Sequence, residues 1–264
     1  MPATHAKTAL PQLMVAPNGA RRLKSAHHAI PLTDAELIKT AIDCHKSGAD
    51  GIHIHIRDDA CLHLLDAGRY RALLDQLRDA VPDFYLQVTS ESAERYDTQT
   101  QQSMMRSLKP RHVSVALREM VRSPADWPKA TDFYSWAEDN GVEIQHITYS
   151  TDELRRFIDA CARGKIPGDH HLLQLVLGSY DGSQISRPAH VKNFTALIDA
   201  SGLSIDWGLC AFGKEETACL IETARLGGKA RVGFENSLWN ADGSIAANNA
   251  ARVLEVRTGI NQLS

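Results

Sequence analysis

The sequence predicts an α/β protein, a single (β/α)8 TIM barrel over residues 1–264. Three observations lead there. Short apolar runs alternate with helical stretches along the whole chain, the pattern of a parallel sheet covered by helices. Eight such strand–helix units can be read, with no linker or low-complexity break between them. The length of 264 residues matches the roughly 250 that one such barrel occupies. A doubly wound open sheet is the competitor. It would carry a phosphate-binding glycine fingerprint after its first strand, and PNGARR is not one.

Residues 12–16 (QLMVA) form a short apolar strand ended by Pro17-Asn18-Gly19. Thr33 is a good N-cap with Glu36 three residues on, so a helix runs to about Lys46 and stops at Gly48. GIHIHIRDD, residues 51–59, is the second strand, because its alternating isoleucines are β-branched. Residues 67–80 place Tyr70, Leu73, Leu74 and Leu77 on one helical face, and Pro82 ends that helix. Strands follow at residues 84–88, 112–116, 142–149, 171–177, 204–210 and 231–234. Helices alternate with them at 98–108, 131–140, 151–162, 188–200, 214–226 and 244–257. Asp152 and Glu153 suit the positive end of a helix dipole, and Pro188 suits a first turn.

Composition narrows the function. The chain is 43% hydrophobic and 23% charged, as in an ordinary globular protein. Formal net charge is -3 with no basic run, which argues against nucleic-acid binding. No apolar stretch approaches the roughly 20 residues that span a bilayer. The first ten residues lack a signal-peptide pattern. The five cysteines make no CxxC pair, so neither a disulfide frame nor a thiolate metal site is expected, and a cytoplasmic location follows.

In a (β/α)8 barrel the active site lies at the carboxyl ends of the strands. His53 and His55 stand two apart on the second strand and project to one face, where two imidazoles can chelate one ion. A catalytic zinc site wants a third protein ligand, and Glu235 in RVGFENS is the best one. Arg231, Gly233 and Glu235 would alternate onto one face of the eighth strand, which with the second flanks the first. Other strand-closing residues are Asn18, Arg21, Arg57, Thr89, Ser90, Glu91, Glu119, Tyr149, Tyr180, Cys210 and Asn236. The adjacent pairs His27-His28 and His170-His171 are weaker candidates, since adjacency on an extended chain splits the rings. His146 can face either the barrel or the helix layer. Asp58 and Asp59 read as a solvated loop, and Trp127, Trp136 and Trp239 as packing residues.

The stretches APNGARR, IPLTDAE, GADGIHIHIRDD, LDAGRY, QVTSES, LVLGSYDG and RVGFENSLW together resemble the β-keto acid cleavage enzyme family. HxHxRD on the second strand with RxGxE on the eighth is the specific combination. The resemblance implies a zinc-dependent barrel, usually a homotetramer. Such an enzyme exchanges acyl groups between a β-keto acid and acetyl-CoA, giving acetoacetate and a new acyl-CoA. It implies zinc on His53, His55 and Glu235. It also places the family's arginine on Arg231 and its third-strand hydroxyl on Thr89 or Ser90. Asn18, Arg21 and Glu119 are the expected substrate contacts. A β-keto acid offers a ketone and a carboxylate oxygen that can chelate zinc together.

The chain departs from the family pattern at three places. Asn236 stands where aspartate is common, and an amide cannot accept a proton as a carboxylate does. Glu91 and Ser92 stand where a member of the family has glycines. Arg21 stands where that member meets a substrate amino group with glutamate, so an anionic or polar tail is expected. Two other classes remain open: a zinc hydrolase of the amidohydrolase type, and a non-catalytic barrel that binds a metal or small molecule.

Overall fold

Residues 8–263 are described by a computed structural model. The first seven residues, part of the segment with no signal-peptide pattern, lie outside the described residues. Eight parallel strands close into a barrel. They are β1 (Leu13–Val15), β2 (Gly51–Ile54), β3 (Tyr85–Thr89) and β4 (His112–Ala116), then β5 (Glu143–Thr148), β6 (His170–Leu177), β7 (Ser204–Ala211) and β8 (Lys229–Val232). Each pairs with its sequence neighbours, and β8 closes the ring on β1 through Met14 opposite Arg231. The second and eighth strands flank the first, as the sequence argument requires.

The outer layer is α1 (Asp34–Lys46), α2 (Ala67–Ala80), α3 (Thr98–Leu108), α4 (Trp127–Asp139), α5 (Thr151–Ala162), α6 (Val191–Ser201), α7 (Glu216–Arg225) and α8 (Asn249–Asn261). Side chains cap the starts of five of these eight helices. Thr33 and Glu36 form the expected capping box, and Asp66, Asp97, Ser150 and Asn248 accept from the first turns of α2, α3, α5 and α8. None of the described helices is long and apolar enough to cross a membrane.

Alternation along the strands sorts the interior into two regions. Val15, Ile52, Ile54, Val113, Val115, Leu173 and Leu175 pack outward against the helices in one apolar core. The residues between them fill the lumen, and there several are polar: His53, Gln87, Ser114, Gln145, Gln174 and Arg231 are all buried. A polar lumen is costly unless its groups pair, and its pairing is what builds the site.

Several boundaries differ from expectation. The histidine strand stops at Ile54, because Ile56 and Arg57 leave the barrel to pair with His63 and Leu64 in a small antiparallel hairpin. The eighth strand starts at Lys229 and ends at Val232, earlier than 231–234. The last helix starts at Asn249, since Trp239 and Ile245 bridge across a turn instead. Pro188–His190 forms a separate 3-10 turn before α6. A one-turn helix, Leu117–Met120, follows β4 directly and carries Glu119.

Candidate active site

Glu235 is not on a strand face, which corrects the expected alternation through Gly233. The chain turns sharply at Gly233, with φ +141°, a conformation that favours glycine. A Cβ there would stand 2.4 Å from the Ala16 carbonyl oxygen. The turn aims Glu235 back over the lumen. Glu216, on α7, accepts from the Gly233 amide at 3.2 Å and is itself held by Arg252 at 2.8 Å. At Gly19, φ +61°, a Cβ would stand 2.6 Å from Glu235 Cγ, so the first loop also closes onto this carboxylate.

His53 and His55 converge although the strand ends between them. Their Nε2 atoms are 3.0 Å apart. Glu235 Oε2 lies 3.5 Å from Nε2 of His55 and 3.9 Å from Nε2 of His53. The three ligand atoms lie within 4.8 Å of one another, and all three residues are buried. Donors bound tetrahedrally at about 2.1 Å stand about 3.4 Å apart, so these separations fit one ion. Glu235 Oε2 is buried with no hydrogen-bond partner, which a metal would supply. Burial, with nearby Arg231 for His53 and with His53 for His55, pushes both imidazoles well below their ordinary pKa. They are therefore neutral, the form that ligates.

A chain of glutamines orients the first of them. His53 Nδ1 meets Gln87 Oε1 at 2.8 Å, so the ring carries its proton there and leaves Nε2 for an ion. Gln87 donates to Gln145 at 2.8 Å, and Gln145 to Gln174 at 3.2 Å. This file crosses the lumen from β3 to β6.

Arg231 donates to Glu235 Oε1 at 3.1 Å and to Cys210 Sγ at 3.3 Å. Burial works against its charge, but Cys210 and Glu235 hold the guanidinium protonated, above the ordinary range. Its Nε and Nη1 are buried without partners. Arg57 donates to the carbonyls of Gly19, Arg22 and Cys61, and Arg22 reaches the Asn236 carbonyl at 3.3 Å. These arginines tie the loops after β1, β2 and β8 around the histidines.

A pocket opens above this set, walled by Tyr149, Tyr180 and Phe212. It brings together His53, Thr89, Glu91, Glu119, Arg231 and Glu235 from the sequence candidates.

A family model of the beta-keto acid cleavage enzymes matches residues 12–264. The chain belongs to the β-keto acid cleavage enzyme family. It is thus an enzyme that cleaves β-keto acids. It is 24% identical to the 3-oxoadipate:acetyl-CoA acetyltransferase of Cupriavidus necator, over 92% of this chain and 86% of that protein. It is 22% identical to the 3-keto-5-aminohexanoate cleavage enzyme of Fusobacterium nucleatum subsp. nucleatum, over 90% and 86%. Among solved structures, the apo structure of ObcA superposes with a TM-score of 0.67 at 14% identity. That match covers 87% of this chain but only 61% of the ObcA chain, and it speaks for the fold alone.

The other candidates of this β-keto acid cleavage enzyme are placed as follows. Asn18 donates to the carbonyls of His55 and Pro31, both at 2.9 Å, and so pins the second histidine's backbone. Ser90 is turned away to the Ser114 carbonyl at 2.8 Å. Thr89 Oγ1 accepts from the Glu91 amide at 3.0 Å. Glu119 lines the pocket, but its carboxylate already accepts from the Ser92 amide and hydroxyl and from Gln101. The Asn236 amide is buried with neither atom partnered. Arg21 lies outside the lining residues and pairs with Glu94 at 2.9 Å, the two side chains 45% and 82% exposed. Asp58 caps its own hairpin turn and pairs with Arg95, away from the histidines. His146 packs on Tyr134 and Phe157 in the helix layer.

Sequence reasoning missed the glutamine file. Its signal was present, one glutamine within each of the apolar runs YLQVT, EIQHIT and HHLLQLVL. Glu91 reads in the sequence both as a strand-closing residue and as a departure from the family pattern. Its carboxyl is pushed up to about 8 by burial, then by Glu235 and Glu119.

Proposed function

We propose that this protein is a zinc-dependent acyl-exchange enzyme that converts a β-keto acid and acetyl-CoA into acetoacetate and a new acyl-CoA. The reading rests above all on the convergence of His53, His55 and Glu235 below a pocket that also holds the free guanidinium nitrogens of Arg231. His53, His55 and Glu235 would hold the zinc. When bound, it would supply Lewis-acid polarisation of a chelating keto acid.

The chain's own residues do the rest. Arg231 fixes Glu235 through one nitrogen and offers the others to a carboxylate oxygen or to developing negative charge. Thr89 and Ser90 set the turn after β3, with the Thr89 hydroxyl at the pocket. Asn236 offers amide hydrogen bonds but no base. Tyr149, Tyr180 and Phe212 exclude water from the reacting carbons. Asn18 positions His55, and Glu119 shapes the loop that carries Glu91.

The two named relatives differ in substrate tail, one a diacid and one an amino-keto acid. For this chain we favour an anionic or polar tail. Arg21 stands at the rim with its guanidinium 5.8 Å from the Tyr180 ring centre, and its exposed pair with Glu94 is weak enough to exchange. A homotetramer in the cytoplasm completes the reading, by family resemblance and by the absence of a cysteine framework.

The test is a panel of a β-keto diacid, a neutral β-keto acid and an amino-keto acid, each with acetyl-CoA, with and without chelator. Acetoacetate should form fastest from the diacid, and chelator should stop it. Turnover of keto acid without a CoA ester would support the hydrolase instead. Preference for the amino-keto acid would remove Arg21 as selector.

A further inference from the structure

We infer that the Tyr180 hydroxyl is a catalytic hydrogen-bond donor, placed to meet the ketone oxygen of the β-keto acid, where negative charge develops as the acid enolises. The reaction rests on the reading above, and the contact on the geometry of the pocket.

Tyr180 sits on the loop after β6, across the mouth from the loop after β1. It is 39% exposed at the rim, yet its hydroxyl end lies inside. A Cβ on Gly19 would stand 2.8 Å from Tyr180 Oη and 2.6 Å from Glu235 Cγ. The hydroxyl and the Glu235 side chain therefore meet over the same bare glycine. Two contacts hold the ring. Phe212 packs on it edge to face, with ring centres 4.5 Å apart, and the Arg21 guanidinium lies 5.8 Å from its centre. The loop is tied down by buried Ser186, whose hydroxyl meets the carbonyls of Leu177 and Phe212 at 3.0 and 2.7 Å.

No group among the described residues hydrogen-bonds to the Tyr180 hydroxyl, although it faces the pocket. Substrate can supply the partner. A phenol titrates at about pH 10, and burial, with Glu235 and Glu91 nearby, raises this one further. It is a donor at neutral pH. Arg231 offers a charged fork, which suits a carboxylate. Tyr180 offers one neutral, directional donor, which suits a single oxygen whose charge grows during the reaction. The two side chains thus divide the keto acid, its carboxylate to Arg231 and its ketone to Tyr180.

The experiment is a calorimetric titration of zinc-supplied protein with acetylacetone. This β-diketone enolises as a β-keto acid does but has no carboxylate for Arg231. Wild type, Tyr180→Phe and Tyr180→Leu are compared, with circular dichroism for folding and a zinc titration of each. Tyr180→Phe keeps the ring and its contacts and removes only the hydroxyl. It should bind acetylacetone about tenfold or more weakly, as when a hydrogen bond to a charged group is lost, with zinc affinity unchanged. Tyr180→Leu should be weakened at least as much. In the acetoacetate assay Tyr180→Phe should lower kcat about 10- to 100-fold with little change in KM. Three results overturn the inference: a wild type that does not bind acetylacetone, weakening in Tyr180→Leu alone, or loss of zinc affinity in Tyr180→Phe. If acetylacetone binds as expected and wild type forms no acetoacetate, the acyl-exchange reading fails and the Tyr180 contact stands.

Discussion

Nδ1 of His53 lies 2.8 Å from Oε1 of Gln87, and this bond decides which nitrogen of the ring faces the pocket. An amide oxygen can only accept, so the proton belongs on Nδ1 and the lone pair on Nε2. Gln87→Met keeps the volume and removes the acceptor. Metal affinity should fall about 10- to 100-fold, the usual effect of losing a group that orients a ligating histidine. Competition titration measures it, and an unchanged affinity would mean the glutamine file is only filler.

Arg231→Lys keeps the charge but not the planar fork. It should lower kcat about a hundredfold or more, as loss of a charge-stabilising group does, while the circular dichroism spectrum is unchanged. Equal kcat would leave Arg231 as a partner of Glu235 and nothing more.

The Gly233 turn yields a stability prediction. Gly233→Ala forces a side chain onto the Ala16 carbonyl at φ +141°. The cost should be about 1–3 kcal/mol or more, read as a lower urea midpoint, together with weaker metal binding as Glu235 shifts. A variant of wild-type stability would show that the turn relaxes freely.

Acid sensitivity follows from the histidines. Burial lowers His63 from 6.5 to about 4. The unfolded chain therefore binds a proton that the folded one refuses between those values. Stability is full above about pH 6.5 and falls as pH drops toward 4, by up to about 1.4 kcal/mol per pH unit for one proton. Metal-free protein should show this in urea midpoints at pH 7.5, 6.5, 5.5 and 4.5. His63→Gln should flatten the profile by about one proton, and identical profiles would refute the assignment.

The barrel and the three converging residues were legible in the sequence for a physical reason. Strand–helix alternation has only a few solutions at this length, and residues two apart on a strand share a face. Capping at Thr33 was legible because the box is local in sequence. The path to Glu235 was not, since the Gly233 turn depends on the Ala16 carbonyl more than two hundred residues earlier. The glutamine bonds are likewise long-range, 58 residues apart for Gln87 and Gln145. Arg21 read as a pocket residue because nothing in the sequence pairs it with Glu94. The hairpin at Ile56 was hidden inside a run of isoleucines that continues past the last barrel residue of β2.

The most direct test of acyl exchange is where the acetyl carbons go. Acetyl-CoA labelled with carbon-13 in its acetyl group should be supplied with an unlabelled β-keto acid, and the products read by carbon NMR. The account predicts acetoacetate labelled at its methyl and ketone carbons, with unlabelled carbon in its carboxylate half and in the new acyl-CoA. Unlabelled cleavage products, with the acetyl-CoA untouched, would contradict it.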